Sequence, residues 1–325
     1  MTAGEPPPWS VPGWRAEMTA WLDASLATVG TRRRGPVREI RAWERSWVGT
    51  FETDRGHMWA KAVPVVFAHE VSVTSLLADI DPGIVAPVLA ADVVLGRLIT
   101  VHVEGPALAS VRDEPAAWAA TLTRLAELQR VLSYEPAALA AAGVTAAPVA
   151  NLAKAVPRLL ADDALLLVDR PGGLSEAEAA ALRARVPELV AACRDLAASG
   201  VPDSLEHGDL SADEVILGEM GPVFLDWSDG SITHPFLSAA SLLGRLTASG
   251  ATDDTDDLVT AYLGPWLGAG LGLDEGGGRR AMAAARIVLP LHVTALYADR
   301  ILPALGDTSE TARIVPAALR AILPG

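Results

Sequence analysis

Two kinds of hydrophobic pattern divide the chain near residue 105. Short apolar runs, some alternating with polar residues, predict strands within the first hundred residues. Apolar residues at helical spacing, as at Met18, Leu22 and Leu26, predict one helix before the strands and one between them. Residues 1–12 are expected to form a frayed tail. The predicted strands cover 37–42, 46–53, 58–63, 85–92 and 97–103, and the predicted helices cover 14–29 and 66–80.

Beyond residue 115 the pattern is almost entirely helical. A capping box, Ser175 with Glu178, marks the start of one of these helices. Residues 204–229 interrupt the helices with a loop and short strands. We therefore expect a small strand-rich part, residues 1–105, and a large helical part, residues 106–325. The predicted helices of the second part cover 118–133, 146–167, 175–199, 235–248, 255–267, 279–299 and 309–322.

Composition narrows the range of functions. Half of the 325 residues are hydrophobic, which predicts a folded chain with a large core. The net charge of −14 disfavours nucleic acid as a partner, because its phosphates require a basic surface. There is no signal-peptide pattern and no uninterrupted apolar run long enough to span a bilayer, so we expect no membrane partner and a cytoplasmic location. The single cysteine, Cys193, has the pattern of a core residue and excludes an internal disulfide.

Candidate chemistry is concentrated at 205–217 and 223–227. Asp209 lies in a loop that begins with His207 and Gly208, where glycine permits a tight turn and histidine can hydrogen-bond the backbone. An aspartate in such a loop can accept a proton from a hydroxyl group. Asp226 follows a short buried strand, and a carboxylate there requires a cation such as Mg²⁺. The alternative is that Asp209 caps a helix and Asp226 closes a turn.

A lysine on a predicted buried strand forms a second candidate. Lys61 lies within the apolar run 58–63, where a charged group needs an anionic partner. Glu70, in the next predicted helix, could provide that partner, and the pair could then bind phosphates. The alternative is a surface lysine on an edge strand and an unrelated glutamate.

Taken together, these motifs resemble those of the aminoglycoside phosphotransferase family, part of the protein-kinase-like fold. The resemblance rests on the sequence HGDLSADEVI at 207–216 and LDW at 225–227, and it extends over about residues 35–300. It implies an α+β, bilobal fold. The N-lobe would be a small antiparallel sheet with one main helix, and the C-lobe would be large and mostly helical.

The resemblance also implies roles for individual residues. ATP or GTP with Mg²⁺ would bind between the lobes, and a small molecule or peptide would accept the phosphoryl group. Asp209 would be the catalytic base, and Asp226 and Glu214 would bind metal. Lys61 and Glu70 would bind the phosphates of the nucleotide. The hinge strand 100–103 would hold the adenine, with Thr100, His102 and Val103 as its contact residues.

Three departures from the family pattern bear on activity. Glu214 stands where the family has an asparagine that ligates metal, and Ser238 stands where it usually has an aspartate that we expect to brace the loop. No glycine-rich loop precedes Lys61, so the turn that covers the phosphates must use Arg45, Ser46 or Trp47.

Two hypotheses about function follow. The first is a phosphotransferase that acts on a hydroxyl group of an antibiotic, a sugar, an amino alcohol or a peptide. The second is a catalytically degenerate kinase-like protein that serves as a binding or scaffold module. Four residues of the last long helix could face the acceptor or could equally belong to core and surface: His292, Tyr297, Asp299 and Arg300. The oligomeric state stays open.

Overall fold

The computed structural model describes residues 6–252, 254–268, 270–306 and 310–323. The predicted strands of the first hundred residues form one antiparallel sheet with the order β1-β2-β3-β5-β4. The edge strand β4 starts later than predicted, directly after Pro87, which has no N–H to donate to a ladder. The strands are β1 Arg38–Ala42, β2 Trp47–Thr53, β3 Gly56–Ala62, β4 Val88–Asp92 and β5 Arg97–Val101.

Two helices lie on opposite faces of this sheet. Side chains alternate along a strand, so Met58, Ala60 and Ala62 of β3 point one way and Lys61 points the other. The first face packs against helix α1, Trp14–Thr28. Lys61 on the second face contacts helix α2, His69–Ile80. The alternation thus buries apolar side chains under α1 and directs the lysine to the side of the sheet where α2 lies.

The N-terminal segment differs from the predicted frayed tail where the structure describes it. Pro8–Ser10 form a single 3-10 turn, and the Trp9 side chain is 3 % exposed. Its ring meets the ring of Trp14 edge-on with centroids 5.9 Å apart. An indole ring buries a large apolar area, and this burial holds the segment against helix α1.

The remaining helices follow the predicted pattern with three corrections. The predicted helix 175–199 is two helices, α6 and α7, because Pro187 stands in the first turn of the second. Helix α5 ends at Ala161, after which the Asp162 side chain accepts hydrogen bonds from the amides of the next turn. Two short helices, α4 and α11, were not predicted. The predicted capping box of α6 is present.

These helices have the following bounds: α3 Pro115–Leu132, α4 Pro136–Ala141, α5 Val149–Ala161, α6 Glu176–Ala184, α7 Val186–Ala197, α8 Phe236–Ala248, α9 Asp256–Leu267, α10 Glu275–Leu296, α11 Leu302–Leu305 and α12 Ile314–Arg320. A π-helical turn, Tyr297–Ile301, joins α10 to α11. Within the described residues, one stretch, Glu275–Leu305, is long and apolar enough to cross a membrane, and 61 % of its most apolar window is buried inside the protein.

Short strands flank the loop that carries Asp209. β6 (Thr145–Ala146), β10 (Ser231–Thr233) and β7 (Ser204–Glu206) form a three-stranded sheet. β8 (Val215–Gly218) and β9 (Gly221–Phe224) form a hairpin. The loop that carries Asp209 therefore runs from β7 to β8, and Asp226 lies just after β9.

Candidate active site

The loop 207–211 is held in one conformation by its first two residues. Gly208 has a φ of +88°, and an added Cβ would lie 2.4 Å from the carbonyl oxygen of Asp229, so only glycine fits. The buried His207 side chain donates from Nε2 to the carbonyl oxygen of Leu225 at 2.8 Å. This bond joins the Asp209 loop to the residue that precedes Asp226, in the way that the sequence predicted for the histidine.

Asp226 has an unusual backbone conformation. Its φ is +61°, in the left-handed region that few residues other than glycine adopt. Such backbone strain persists only where the surroundings fix it, and it concentrates at functional sites. Here the preceding β9 and the His207 bond to Leu225 fix the chain on one side. On the other, the Asp226 carboxylate accepts a hydrogen bond from Lys61 Nζ at 2.8 Å.

Lys61 contacts Glu70, the partner that its sequence context suggested, and also Asp226. Its Nζ lies 2.7 Å from Glu70 Oε1 and 2.8 Å from Asp226 Oδ1. Burial opposes the charge of the lysine, but the two carboxylates outweigh burial and raise its pKa. Burial also raises the pKa of Glu70, to about 7, even though Lys61 opposes this. For Asp226 burial raises the pKa, but Lys61, the Ser228 side chain and His207 together outweigh it, and the pKa falls well below its usual value.

A cavity of about 300 Å³ lies between the sheet and the β8–β9 hairpin. Its walls are mainly apolar, and Lys61, Glu70, Glu214 and Asp226 line it together. The three residues predicted to contact adenine, Thr100, His102 and Val103, also line it. The amide of His102 donates to the His57 carbonyl oxygen at 3.1 Å, so this amide is already paired within the protein. The cavity has the size and apolar character typical of small-molecule sites.

A smaller polar cavity adjoins the first one. It has a volume of about 160 Å³ and shares Lys61, Glu214 and Asp226 with the larger cavity. Asp209 also lines it, which brings the predicted base to the same space as the predicted metal ligands. Arg245 of α8 pairs with the Asp209 carboxylate. Burial raises the pKa of Asp209, and the charge of Arg245 opposes this rise.

The donors around these cavities fit a magnesium ion. Across the described ranges, no three His, Cys, Asp or Glu side chains are grouped closely enough to form a complete metal cage. Mg²⁺, however, is commonly held by one or two carboxylates, with phosphate oxygens and water completing its shell. Burial and the nearby Asp226 charge raise the pKa of Glu214 to about 7. A divalent cation between these two carboxylates would relieve that repulsion.

The turn between β1 and β2 differs from a flexible phosphate-covering loop. Arg45 is buried, pairs with Asp229 and donates from Nη1 to the Tyr297 hydroxyl at 2.6 Å. Arg45 and Ser46 line the polar cavity. Trp47 does not line either cavity, because its ring packs edge-on against Trp14 with centroids 5.2 Å apart. The guanidinium of Arg45 thus connects the first turn of the sheet to the end of the last long helix.

Ser238 contacts the loop that the sequence suggested it should brace. It is fully buried in the first turn of α8, and its hydroxyl oxygen accepts a hydrogen bond from the His207 amide at 2.9 Å. The Gln129 side chain of α3 donates to the same oxygen at 3.2 Å. A neutral hydroxyl can therefore form the contact for which an aspartate was expected.

The four residues of the last helix have separate surroundings. His292 is buried next to Ser231, with 3.2 Å between Nε2 and Oγ, and Arg300 donates to the carbonyl oxygens of Ser228 and Gly230 at 3.2 Å each. Asp299 forms an exposed ion pair with Arg158. His292, Asp299 and Arg300 line a third cavity, of about 340 Å³, whereas Tyr297 holds Arg45.

Two residues of the site were not found from the sequence. Asp229 follows the Asp226-Trp227 pair closely, and Arg245 is one of many arginines on helical surfaces. A partner for Asp209 could not be inferred, since Arg245 is 36 positions away and belongs to no motif. Asp229 could have been identified more easily, because it is the next acidic residue after Asp226 and lies only three positions along the chain.

Comparison with known proteins agrees with this architecture. No protein-family model matches the sequence, and no curated protein matches it significantly. Solved structures do match, among them a macrolide 2'-phosphotransferase from Brachybacterium faecium, with a TM-score of 0.60 and 17 % identity over 92 % of this chain and 97 % of that one.

An ethanolamine kinase from Plasmodium vivax matches with a TM-score of 0.57 and 12 % identity over 89 % and 82 % of the two chains. An aminoglycoside-3'-phosphotransferase of type VIII matches with a TM-score of 0.52 and 19 % identity over 83 % and 98 %. The chain has a kinase-like fold. The predicted α+β architecture, a small antiparallel sheet followed by a large helical part, is confirmed. Within this fold, Lys61 and Asp209 line the same polar cavity.

Proposed function

We propose that this protein is an ATP- and Mg²⁺-dependent phosphotransferase that acts on a hydroxyl group of a small molecule. The observation that carries the proposal is the double contact of Lys61 with Glu70 and Asp226 at the edge of a ligand-sized cavity. The space that holds this contact continues to Asp209. A phosphoryl-transfer site needs these parts side by side: a lysine for phosphate, a carboxylate for metal and a base for the hydroxyl.

Each residue has a task in this proposal. The cavity between the sheet and the β8–β9 hairpin would hold the nucleotide, with the base near 100–103 and the phosphates at Lys61. Asp226 and Glu214 would hold Mg²⁺, which neutralises phosphate charge when bound. Asp209 would orient the acceptor hydroxyl and accept its proton. Most of the rate would come from this positioning.

The acceptor is proposed as a class. Structures with the same fold have names that specify macrolides, aminoglycosides and ethanolamine, so a small hydroxylated molecule is the best-supported acceptor. An antibiotic, a sugar or an amino alcohol belongs to that class, and a peptide hydroxyl is the remaining option. We further propose a division at residues 105/106 into two lobes, and a cytoplasmic location, where ATP and Mg²⁺ are abundant.

The alternative is a kinase-like protein that binds ligands without transferring phosphate. Glu214 favours it, since a carboxylate there changes the metal site. The pairing of Asp209 with Arg245 also favours it, because a base held by an arginine accepts a proton less readily. The retention of Lys61, Glu70, Asp209 and Asp226 in one connected space favours the enzyme.

A thermal-shift titration with ATP or GTP, in the presence and absence of Mg²⁺, tests nucleotide binding first. A ligand that binds only the folded state raises the melting temperature as its concentration exceeds its Kd. The enzyme proposal expects a shift that requires both nucleotide and metal. No shift with either nucleotide up to millimolar concentration would reject it. A substrate screen for loss of ATP in the presence of hydroxylated acceptors then separates the enzyme from a binding protein.

A further inference from the structure

A carboxylate without solvent exposure lies directly before the Asp209 loop. Glu206 is the last residue of β7, and its side chain is 0 % exposed. An ionised carboxylate in such a position is costly unless hydrogen bonds and charges compensate it. Oε1 accepts a hydrogen bond from the Gly208 amide at 2.8 Å and one from the Ser238 hydroxyl at 3.3 Å. Oε2 lies 3.5 Å from His292 Nε2.

These contacts join three segments at the start of the loop. Gly208 belongs to the loop itself, Ser238 to α8 and His292 to α10. The Ser238 oxygen also accepts a hydrogen bond from the His207 amide at 2.9 Å. Both amides that immediately precede Asp209 therefore donate to this small network. Burial alone would raise the pKa of Glu206, but His292 and the Gly208 amide lower it overall, which keeps the carboxylate ionised.

The direction of the Asp209 side chain follows from these two peptide units. Gly208 has a left-handed φ and directly precedes Asp209, so a change in the Gly208 conformation would change the direction of the Asp209 side chain, which lines the polar cavity. We infer that Glu206 is the positioning residue for Asp209: its buried carboxylate fixes the Gly208 amide and, through Ser238, the His207 amide. The effect on the loop is independent of the proposed function, and only its effect on rate rests on that function.

The geometry suggests a test in which the carboxylate is moved from position 206 to position 238. Because the Ser238 hydroxyl oxygen is 2.9 Å from the His207 amide and 3.3 Å from Glu206, an aspartate at 238 could reach the space that an alanine at 206 leaves. The variants are Glu206→Ala, Glu206→Ala with Ser238→Asp, and Ser241→Ala as control. Ser241 is also on α8 and donates to the loop at the Leu210 carbonyl, but it does not contact Glu206.

Hydrogen–deuterium exchange of peptides that span residues 204–212 gives the first readout. In Glu206→Ala the exchange at 207–208 should become at least about tenfold faster, because a hydrogen bond to a charged group is lost. The double variant should regain most of the protection. Ser241→Ala should leave exchange at 207–208 within about threefold of the parent protein. Unchanged exchange in Glu206→Ala, or no recovery in a folded double variant, would overturn the inference.

Kinetics give the second readout once an acceptor is known. Glu206→Ala should lower kcat by about tenfold or more while the KM for ATP stays within about threefold, and the double variant should recover kcat. Because a loss of folded protein would also lower the apparent kcat without changing KM, kcat is calculated per folded molecule, with the folded fraction measured by circular dichroism at the assay temperature. If Glu206→Ala does not fold, Glu206→Gln with and without Ser238→Asp replaces it in both experiments. Absence of phosphotransfer in the parent protein would reject the proposed function, whereas the exchange result would still decide the role of Glu206.

Discussion

The two sides of the cleft differ in how their charged side chains are paired. On the donor side one cation, Lys61, lies between the carboxylates of Glu70 and Asp226. On the transfer side each carboxylate has its own arginine: Asp209 pairs with Arg245 and Asp229 pairs with Arg45. In the proposed function the donor side would receive phosphate and metal, and on the transfer side Arg245 would restrain the proposed base, Asp209, before an acceptor binds.

The two sides also differ in which elements supply the charged groups. The donor side combines a local contact with a distant one, since Lys61 and Glu70 are 9 positions apart and Lys61 and Asp226 are 165 positions apart. The transfer side depends on arginines that reach it from the β1–β2 turn and from the last turn of α8. Four variants test this comparison, from the largest expected effect to the smallest.

Asp209→Asn should have the largest effect on activity. The amide cannot accept the proton of the acceptor hydroxyl, and loss of a general base lowers rates by about 10²–10⁴-fold. Steady-state kinetics with an identified acceptor measures this, and the KM for ATP should change little because Asp209 does not line the larger cavity. Asp213→Asn, at an exposed position of the same loop, is the matched control. Equal activity in the two variants would remove Asp209 from the chemistry.

Arg45→Met should have the largest effect on stability. It leaves the buried Asp229 carboxylate without its cation and the Tyr297 hydroxyl without its donor. Loss of one partner of a buried ion pair typically destabilises a protein by about 3–5 kcal/mol. Chemical denaturation measures the change in the free energy of unfolding. Arg41→Met is the control, since Arg41 lines the same cavity but is exposed and stacks on Trp43. A loss of stability no larger than in the control would show that the Arg45–Asp229 pair does not hold the β1–β2 turn.

Glu214→Asn should change the metal dependence and leave the fold intact. The neutral amide removes one charge from the pair formed with Asp226, so more Mg²⁺ should be needed for half-maximal activity, by about tenfold. Titrations with Mg²⁺ and with Mn²⁺ give the two half-saturation concentrations, and the melting temperature without metal checks the fold. If both concentrations match those of the parent protein, Glu214 has no role in binding metal.

Part of this site was predictable from the sequence on both sides of the cleft. Asp209, Asp226 and Lys61 were identified from their residue types and order, and the structure brings them to adjoining cavities. The five-stranded sheet was also predictable, because its strands alternate and pair with their chain neighbours in most cases. The roles of these residues stay predictions.

The rest depended on contacts over long sequence distances. The Arg45–Asp229 pair spans 184 positions and the Asp209–Arg245 pair spans 36. No periodicity or motif carries such information, since a pairing partner is set by how α8 and the first turn pack. Two other differences, in contrast, had a signal in the sequence. Pro187 indicates the split of 175–199 into two helices, and the apolar character of tryptophan indicates the burial of Trp9.

Arg245→Gln should have the smallest effect and is the most direct test of the transfer side. Partial desolvation by the surrounding protein raises the pKa of Asp209 and Asp229 raises it further, whereas Arg245, His207 and Arg45 lower it. Removal of the Arg245 charge should therefore raise the pKa of Asp209, so that the base becomes protonated at a higher pH. The acid limb of the kcat/KM profile should shift to higher pH. Because the side chains of both partners are more than half exposed, stability should change little.

The conservative variant Arg245→Lys makes that test specific. A lysine retains the positive charge beside Asp209 while losing the planar guanidinium, so its acid limb should lie closer to that of the parent protein. A shift of equal size in both variants would attribute the effect to geometry and not to charge. An unshifted limb in Arg245→Gln would mean that Arg245 does not restrain the base, and the electrostatic difference between the two sides of the cleft would then be confined to Arg45 and Asp229.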